Sequence, residues 1–225
     1  MAPTLLRGQQ AFQSNGWEML TATLTYSSAS VINSSVDLTG LLQKGDKLKL
    51  TQHSATKYFY VLAVSSTQIT VTAGSDFVVE DTATYAITAP FFSKVLSPQG
   101  FPQYFAYTPT GPTNSTLSGR FSLIGNMCDC WIKILSTGAI SFTNMPTLPI
   151  TASASVSHRD FIGGYVDAGT AARWGKIIGH IEGSYTRLSL FNGETTTGDV
   201  PLLSSTVPIT WANNDLIEIG FQYEI

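Results

Sequence analysis

The chain has 225 residues, a formal net charge of −3 and only 12% charged residues, about half the share of an average globular domain. This charge balance gives no support to a nucleic-acid-binding surface. The 43% of hydrophobic residues excludes a disordered chain, because there is ample apolar surface to bury. No run reaches the roughly 18 apolar residues that a membrane-spanning helix needs, so no membrane insertion is expected.

Residues 1–15 form a polar arm without hydrophobic periodicity. Arms of this kind are often ordered by docking onto a neighbouring molecule. We expect the arm to anchor the protein to another protein, with Leu5, Leu6 and Phe12 as the anchoring residues. The arm lacks the apolar core of a signal peptide, which predicts that the protein is made and kept in a cytosol.

Residues 16–90 carry the alternation of a small β domain. Alternate residues from Leu20 to Tyr26 are apolar, and threonines lie between them. The run at 57–64 is apolar on both faces, as in a central strand, and Gly45-Asp46 marks a turn. Short alternating runs divided by turns predict a small antiparallel barrel or sandwich.

Residues 91–105 join this domain to the second half of the chain. Four phenylalanines, one tyrosine and two prolines fall within this segment. Large aromatic side chains need a surface to cover, unlike the residues of a Gly/Ser linker. The composition therefore predicts a packed, extended junction.

Residues 106–225 are predicted to form a jelly-roll-like β sandwich. The clearest strand is the last one, because its apolar residues alternate to the end of the chain, at Ile217, Ile219, Phe221, Tyr223 and Ile225. A chain whose last residue belongs to the buried face is expected to end inside a sheet. No long stretch keeps a helical period, so essentially no helix is predicted.

Cys128 and Cys130 lie two residues apart on a predicted strand, so their side chains share a face. Parallel side chains disfavour a mutual disulfide. The pair could be half of a zinc site, but the sequence has no second pair and its three histidines are scattered. We expect two reduced, unligated thiols packed as small apolar groups, and no metal or other cofactor.

Three features occur in order along the chain: Gly45-Asp46, Lys-Tyr-Phe-Tyr-Val at 57–61, and Ser-Pro-Gln-Gly-Phe-Pro at 97–102. With these features the chain resembles bacteriophage virion structural proteins, the tail-fibre, head-fibre and capsid-decoration modules. The resemblance implies a non-enzymatic, all-β homotrimer in the virion, with other virion proteins as partners. The sequence has no collagen-like or coiled-coil shaft, which favours a compact module on the capsid or tail.

The apolar last strand and the low charge favour association of three copies through the C-terminal domain. In this interpretation the arm at 1–15 holds the trimer to the particle. The C-terminal domain then faces outward, for assembly or for adhesion to a glycan of the host surface.

No catalytic motif of the common hydrolase, metalloprotease or nucleotide-binding types occurs, so the protein is not expected to be an enzyme. Aromatic residues stand beside amide and acid groups at 161–167 and 211–215, both interpreted as loops. The candidate binding residues for a glycan or a partner are Tyr165, Asp167, Trp211, Asn213 and Asn214. The same residues suit core packing and turns equally well. A lectin-like carbohydrate-binding module is the alternative function, and a glycan depolymerase is a third hypothesis.

Overall fold

The structure is a computed structural model, which describes residues 15–156, 159–169, 173–193 and 201–225. Among these residues only Asn15 has helical geometry. The predicted all-β class is therefore confirmed. The strands are β1 (Glu18–Met19), β2 (Leu24–Ser28), β3 (Val31–Ser34), β4 (Lys47–Gln52), β5 (Ala55–Val64), β6 (Gln68–Thr72), β7 (Thr88–Ser93), β8 (Phe105–Tyr107), β9 (Thr113–Ile124), β10 (Met127–Ser141), β11 (Arg159–Asp167), β12 (Arg173–Ile181), β13 (Ser189–Asn192) and β14 (Leu216–Glu224).

The strands form two seven-stranded antiparallel sheets, the first in the order β1-β7-β4-β5-β6-β3-β2. β1 and β2 lie at opposite edges of this sheet, although only four residues, 20–23, separate them. The edges of a flat seven-stranded sheet would be about 29 Å apart. The chain from Met19 to Leu24 spans at most about 18 Å. The first sheet must therefore curl, and register shifts in three of its strand pairs mark where it bends.

The second sheet has the order β13-β12-β11-β14-β10-β9-β8. The segment 145–148 is hydrogen-bonded beside both of its edges. The Thr147 N–H donates to the Thr110 carbonyl, just after β8, and the Leu148 N–H donates to the Thr186 carbonyl, just before β13, each at 2.8 Å. The segment is thereby fastened to the chain next to both edge strands.

The last strand, β14, lies in the middle of the second sheet, between β11 and β10. Ile225, which follows it, is buried. The prediction that the chain ends inside a sheet is confirmed. The alternate residues Ile217, Ile219, Phe221 and Tyr223 are also buried within the protein's own core. The apolar face of this strand is therefore already covered, and it cannot also be the surface on which copies associate.

The chain divides into two compact units. The first unit comprises residues 15–105 together with Leu123–Asn126, and the second comprises Ala106–Ser122 together with Met127–Ile225. Aromatic rings of the 91–105 segment pack inside the first unit. Phe101 lies 5.0 Å from Tyr60 and 5.5 Å from Phe105 between ring centroids.

Candidate functional site

Two of the predicted binding residues are interior side chains of the second unit. Tyr165 is 3% exposed and Trp211 is 2% exposed, and their ring centroids are 5.9 Å apart in an edge-to-face arrangement. The Trp211 indole N–H donates to the carbonyls of Ser204 at 3.0 Å and Val207 at 3.3 Å. Phe142 covers another part of the indole, at 5.5 Å between centroids. Neither ring offers a face to a ligand arriving from solvent.

The predicted acid, Asp167, forms a turn. Its carboxylate accepts the Gly169 N–H at 2.9 Å, two residues on. A different acid, Asp215, joins the two candidate segments. Its carboxylate accepts the N–H of Ala168 at 2.9 Å and that of Ala212 at 2.6 Å, and the residue is 1% exposed. The structure therefore brings the segments ending at Asp167 and beginning at Trp211 together, through a residue that was not a candidate.

Asn213 and Asn214 are exposed, in the turn before β14. Asn214 has a positive φ of 72°, which asparagine tolerates better than most residues. Its N–H donates to the Ser136 carbonyl at 2.9 Å. These two amides are the exposed members of the predicted set, and both aromatic rings of that set are buried.

The segment 161–167 is part of strand β11, which corrects its interpretation as a loop. Alternation in a strand puts Tyr165 on the inner face, and Ile162, Gly164 and Val166 on the outer face. The sequence analysis selected Tyr165 for its aromatic ring, and this residue lies on the inner face, so the outer face was not predicted as a site. The available signal was Trp174, which shares its strand face with the exposed Lys176.

The outer face of the second sheet carries an apolar row that crosses four strands. Leu135 pairs with Leu216, Leu216 with Val166, and Val166 with Trp174. Trp174 is 80% exposed. Large apolar side chains at this exposure are uncommon unless another molecule covers them, so this row is the strongest candidate surface of the described chain.

A charged row lies beside the apolar row. Lys133 pairs with Glu218, Glu218 with Gly164, and Gly164 with Lys176. The Lys133 Nζ and Glu218 Oε1 atoms are 4.0 Å apart, too far for a hydrogen bond. A shallow groove of about 420 Å³ separates Trp174 from Glu218. Its lining residues are Ile162, Gly163, Gly164, Tyr165, Val166, Trp174, Leu216 and Glu218.

A histidine between two carboxylates was also missed by sequence analysis. His180 Nδ1 lies 2.8 Å from Asp160 Oδ1, and its Nε2 lies 3.4 Å from Glu182 Oε1. The ring is 6% exposed and packs edge to face at 6.1 Å from both Tyr185 and Phe191. Asp160 and His180 pair across β11 and β12 and are twenty residues apart in sequence, so no short motif marks the cluster.

Cys128 and Cys130 lie in the interior of the second unit, as the expected strand face requires. The Tyr107 hydroxyl is 3.2 Å from the Cys130 sulfur. Burial raises the pKa of the Cys128 thiol to about 12 and also raises that of Cys130. Thiols of this kind stay protonated at neutral pH, which makes them poor nucleophiles and poor metal ligands.

Among the described residues, no cluster of three or more His, Cys, Asp or Glu side chains is arranged to hold a metal ion. The anchoring candidates Leu5, Leu6 and Phe12 lie outside the described residues. No helix in the described part of the chain is long and apolar enough to cross a membrane.

Comparison with protein-family models, with curated proteins and with solved structures finds no match to this chain.

Proposed function

We propose that the chain is a non-enzymatic structural protein of a bacteriophage virion, an accessory tail or capsid module of the fibre or decoration type. The motifs at 45–46, 57–61 and 97–102 motivate the virion setting. In the described part of the chain, every buried side-chain nitrogen and oxygen has a hydrogen-bond partner. Hydrogen-bonded polar groups in the interior stabilise the fold, as a structural module requires.

The observation that carries the proposal is the exposed apolar row on the outer face of the second sheet. Trp174, at the end of this row, is 80% exposed, and Ile162, on the same face beyond the charged row, is 74% exposed. A folded unit that displays such side chains on a regular sheet presents a surface for another molecule. An outward-facing surface for assembly or adhesion is what an accessory virion module needs.

The proposed assembly is a homotrimer held to the particle by residues 1–15. The low charge of the chain favours partners that cover its surface, and two exposed apolar residues of the first unit, Val95 at 51% and Leu96 at 60%, are candidates for the contact between copies. Since β14 is covered within the protein, these exposed residues are better candidates for contact than the last strand.

The test of the virion assignment uses the phage that encodes the chain. We expect mass spectrometry of purified particles to find the protein in stoichiometric amount. Deleting residues 1–15 should leave a soluble trimer by light scattering that no longer joins the particle. Absence from wild-type particles would contradict the virion assignment, a micromolar monomer would contradict the trimer, and normal incorporation of the truncated protein would contradict the anchor.

A carbohydrate-binding module is the second candidate, because the groove beside Trp174 combines an exposed ring with charged side chains. This function predicts sugar binding by the isolated protein without stoichiometric presence in a particle. Incubation with bacterial polysaccharides separates both candidates from a depolymerase, since only the enzyme shortens the chains.

A further inference from the structure

The groove on the second sheet has a glycine, Gly164, among its lining residues. A β-carbon at Gly164 would meet only the Gly175 carbonyl oxygen, at an ordinary 3.6 Å. Its neighbour Gly163 differs, since a β-carbon there would come within 2.8 Å of both the Glu218 backbone carbonyl oxygen and the Ile219 side chain. Packing therefore requires Gly163 but does not require Gly164.

A glycine inside a strand weakens the strand and removes a side chain that could pack. The common reasons for keeping one are a bulge, a bend or the close approach of another molecule. The pairing of β11 with β12 runs without a register shift from Arg159 to Asp167, so no bulge explains Gly164. An open floor between Trp174 and Glu218, which lets another molecule approach the strand, is the reason that fits the groove.

The two walls of this groove differ in chemistry. On one side, on β12, Trp174 presents an indole face to solvent. On the other side, on β14, Glu218 presents a carboxylate, an acceptor with two oxygens. A pyranose ring has the same division, because its C–H groups form an apolar face while its hydroxyls donate and accept at the edge. An indole face suits the C–H groups, and a carboxylate suits a pair of hydroxyls.

The size of the groove also favours a sugar over a protein partner. Its volume of about 420 Å³ falls in the range of about 300–1,000 Å³ that is usual for small-molecule sites. A stable contact between two copies buries about 800 Å² on each partner and has a core depleted in charge. The charged row through Lys133, Glu218 and Lys176 would lie in the middle of such a contact.

We propose that the groove between Trp174 and Glu218 is a binding site for a pyranose residue of a surface glycan. Trp174 stacks on the sugar ring, Glu218 accepts hydrogen bonds from its hydroxyls, and Gly164 leaves room for the ring to approach the sheet. The inference rests on the adhesive outer face in the proposed function and names its ligand class.

The test is binding of the purified full-length protein to an array of hexose, hexosamine and uronate oligosaccharides. Calorimetry then measures the affinity for each sugar that gives a signal on the array. We expect Trp174→Ala and Gly164→Val each to weaken binding at least about tenfold. Glu218→Gln should weaken it by a similar factor, because the amide replaces one acceptor oxygen with a donor. Gly220→Val is the matched control, since it adds the same side chain to the same face outside the groove, where a β-carbon meets only the Cys130 oxygen at 4.0 Å.

Failure of the wild-type protein to bind any sugar on the array would overturn the site, as would wild-type affinity in Gly164→Val. Light scattering on Trp174→Ala gives a second readout, and a loss of oligomers there would assign the face to contact between copies and overturn the glycan site. The virion test is independent of these outcomes. A protein present in particles without sugar binding refutes the site alone, and a sugar-binding protein absent from particles refutes the virion assignment alone.

Discussion

Two groups of aromatic rings and charges, one in each unit, are arranged in opposite ways. In the first unit, rings enclose lysines. Lys49 Nζ lies 4.6 Å from the Trp17 ring centroid and 4.5 Å from that of Phe91, and Lys47 is 3% exposed beside Tyr60. In the second unit, the most exposed tryptophan stands on the outer face, next to charged side chains that are also exposed.

This difference shows that aromatic rings beside charged residues can have a structural role in one unit and be available for binding in the other. Burial lowers the pKa of Lys47 and raises that of its neighbour Asp46, so the first unit bears a cost for charges that it keeps inside. Cation–π contacts offset part of that cost and make these rings structural. The exposed ring of Trp174 contributes little to such packing, so it is available for binding.

The largest effect we predict concerns the closed interior of the second unit. Because burial raises the pKa of Cys128 from 9.0 to about 12, the thiolate fraction at pH 8 falls about a thousandfold relative to an unshifted thiol. We expect iodoacetamide to leave both cysteines unmodified in the native protein at pH 8, and to modify both after denaturation. Mass spectrometry of the intact protein measures this. Equal rates in the two states would show that this interior is open.

The second prediction compares the two tryptophans directly. Trp17 is 1% exposed and its indole N–H donates to the Gln99 carbonyl at 2.8 Å. We expect Trp17→Ala to lower the free energy of unfolding of the first unit by about 3–5 kcal/mol. Trp174→Ala should change that of the second unit by less than about 0.5 kcal/mol. Urea denaturation, monitored by circular dichroism, measures both free energies of unfolding. Equal losses for the two variants would contradict the distinction between a structural ring and a ring that is available for binding.

The third prediction compares two carboxylates at one end of the second sheet. Asp215→Ala leaves the N–H groups of Ala168 and Ala212 without their acceptor, so we expect a loss of about 2–4 kcal/mol in the free energy of unfolding. Asp167→Ala removes a single exposed turn contact and should cost about 0.5–1 kcal/mol. Thermal denaturation of the two variants gives the order, and a larger loss for Asp167→Ala would contradict it.

The class of fold could be predicted from local patterns, whereas the candidate surface could not. The alternation in β14 predicts which of its residues are buried, and it predicts that the chain ends inside a sheet. The same pattern does not state which strands are neighbours. The groove beside Trp174 needs β14, β11 and β12 side by side, and β14 is about fifty residues beyond β11 in sequence. Strand order depends on the whole sheet, so the sequence of a single strand does not predict which residues lie beside an exposed residue on the neighbouring strands.

The smallest predicted effect concerns a polar network in the first unit. Lys57 is 7% exposed, and its Nζ donates to the Glu80 carboxylate at 2.8 Å and to the Val78 carbonyl at 2.9 Å. The hydrogen bond from Lys57, and then contacts that include His53, lower the pKa of Glu80 below its usual 4.5. A carboxylate with a depressed pKa in the folded state stabilises the fold above its unfolded pKa, and this contribution is lost as the pH falls through the folded value.

We therefore expect Glu80→Gln to lower the melting temperature of the first unit most at pH 7, and the gap from wild type to close as the pH falls below about 4.5. The effect should be small, because water reaches Glu80 and screens the pair. Glu18→Gln is the control, since it removes a carboxylate of the same kind from the exposed β1 and corrects for the general loss of negative charge. A difference in melting temperature between Glu80→Gln and wild type that stays constant with pH would contradict this prediction. It would show that the Val78 carbonyl and the surrounding fold hold Lys57, and that the ion pair with Glu80 does not stabilise this buried charge.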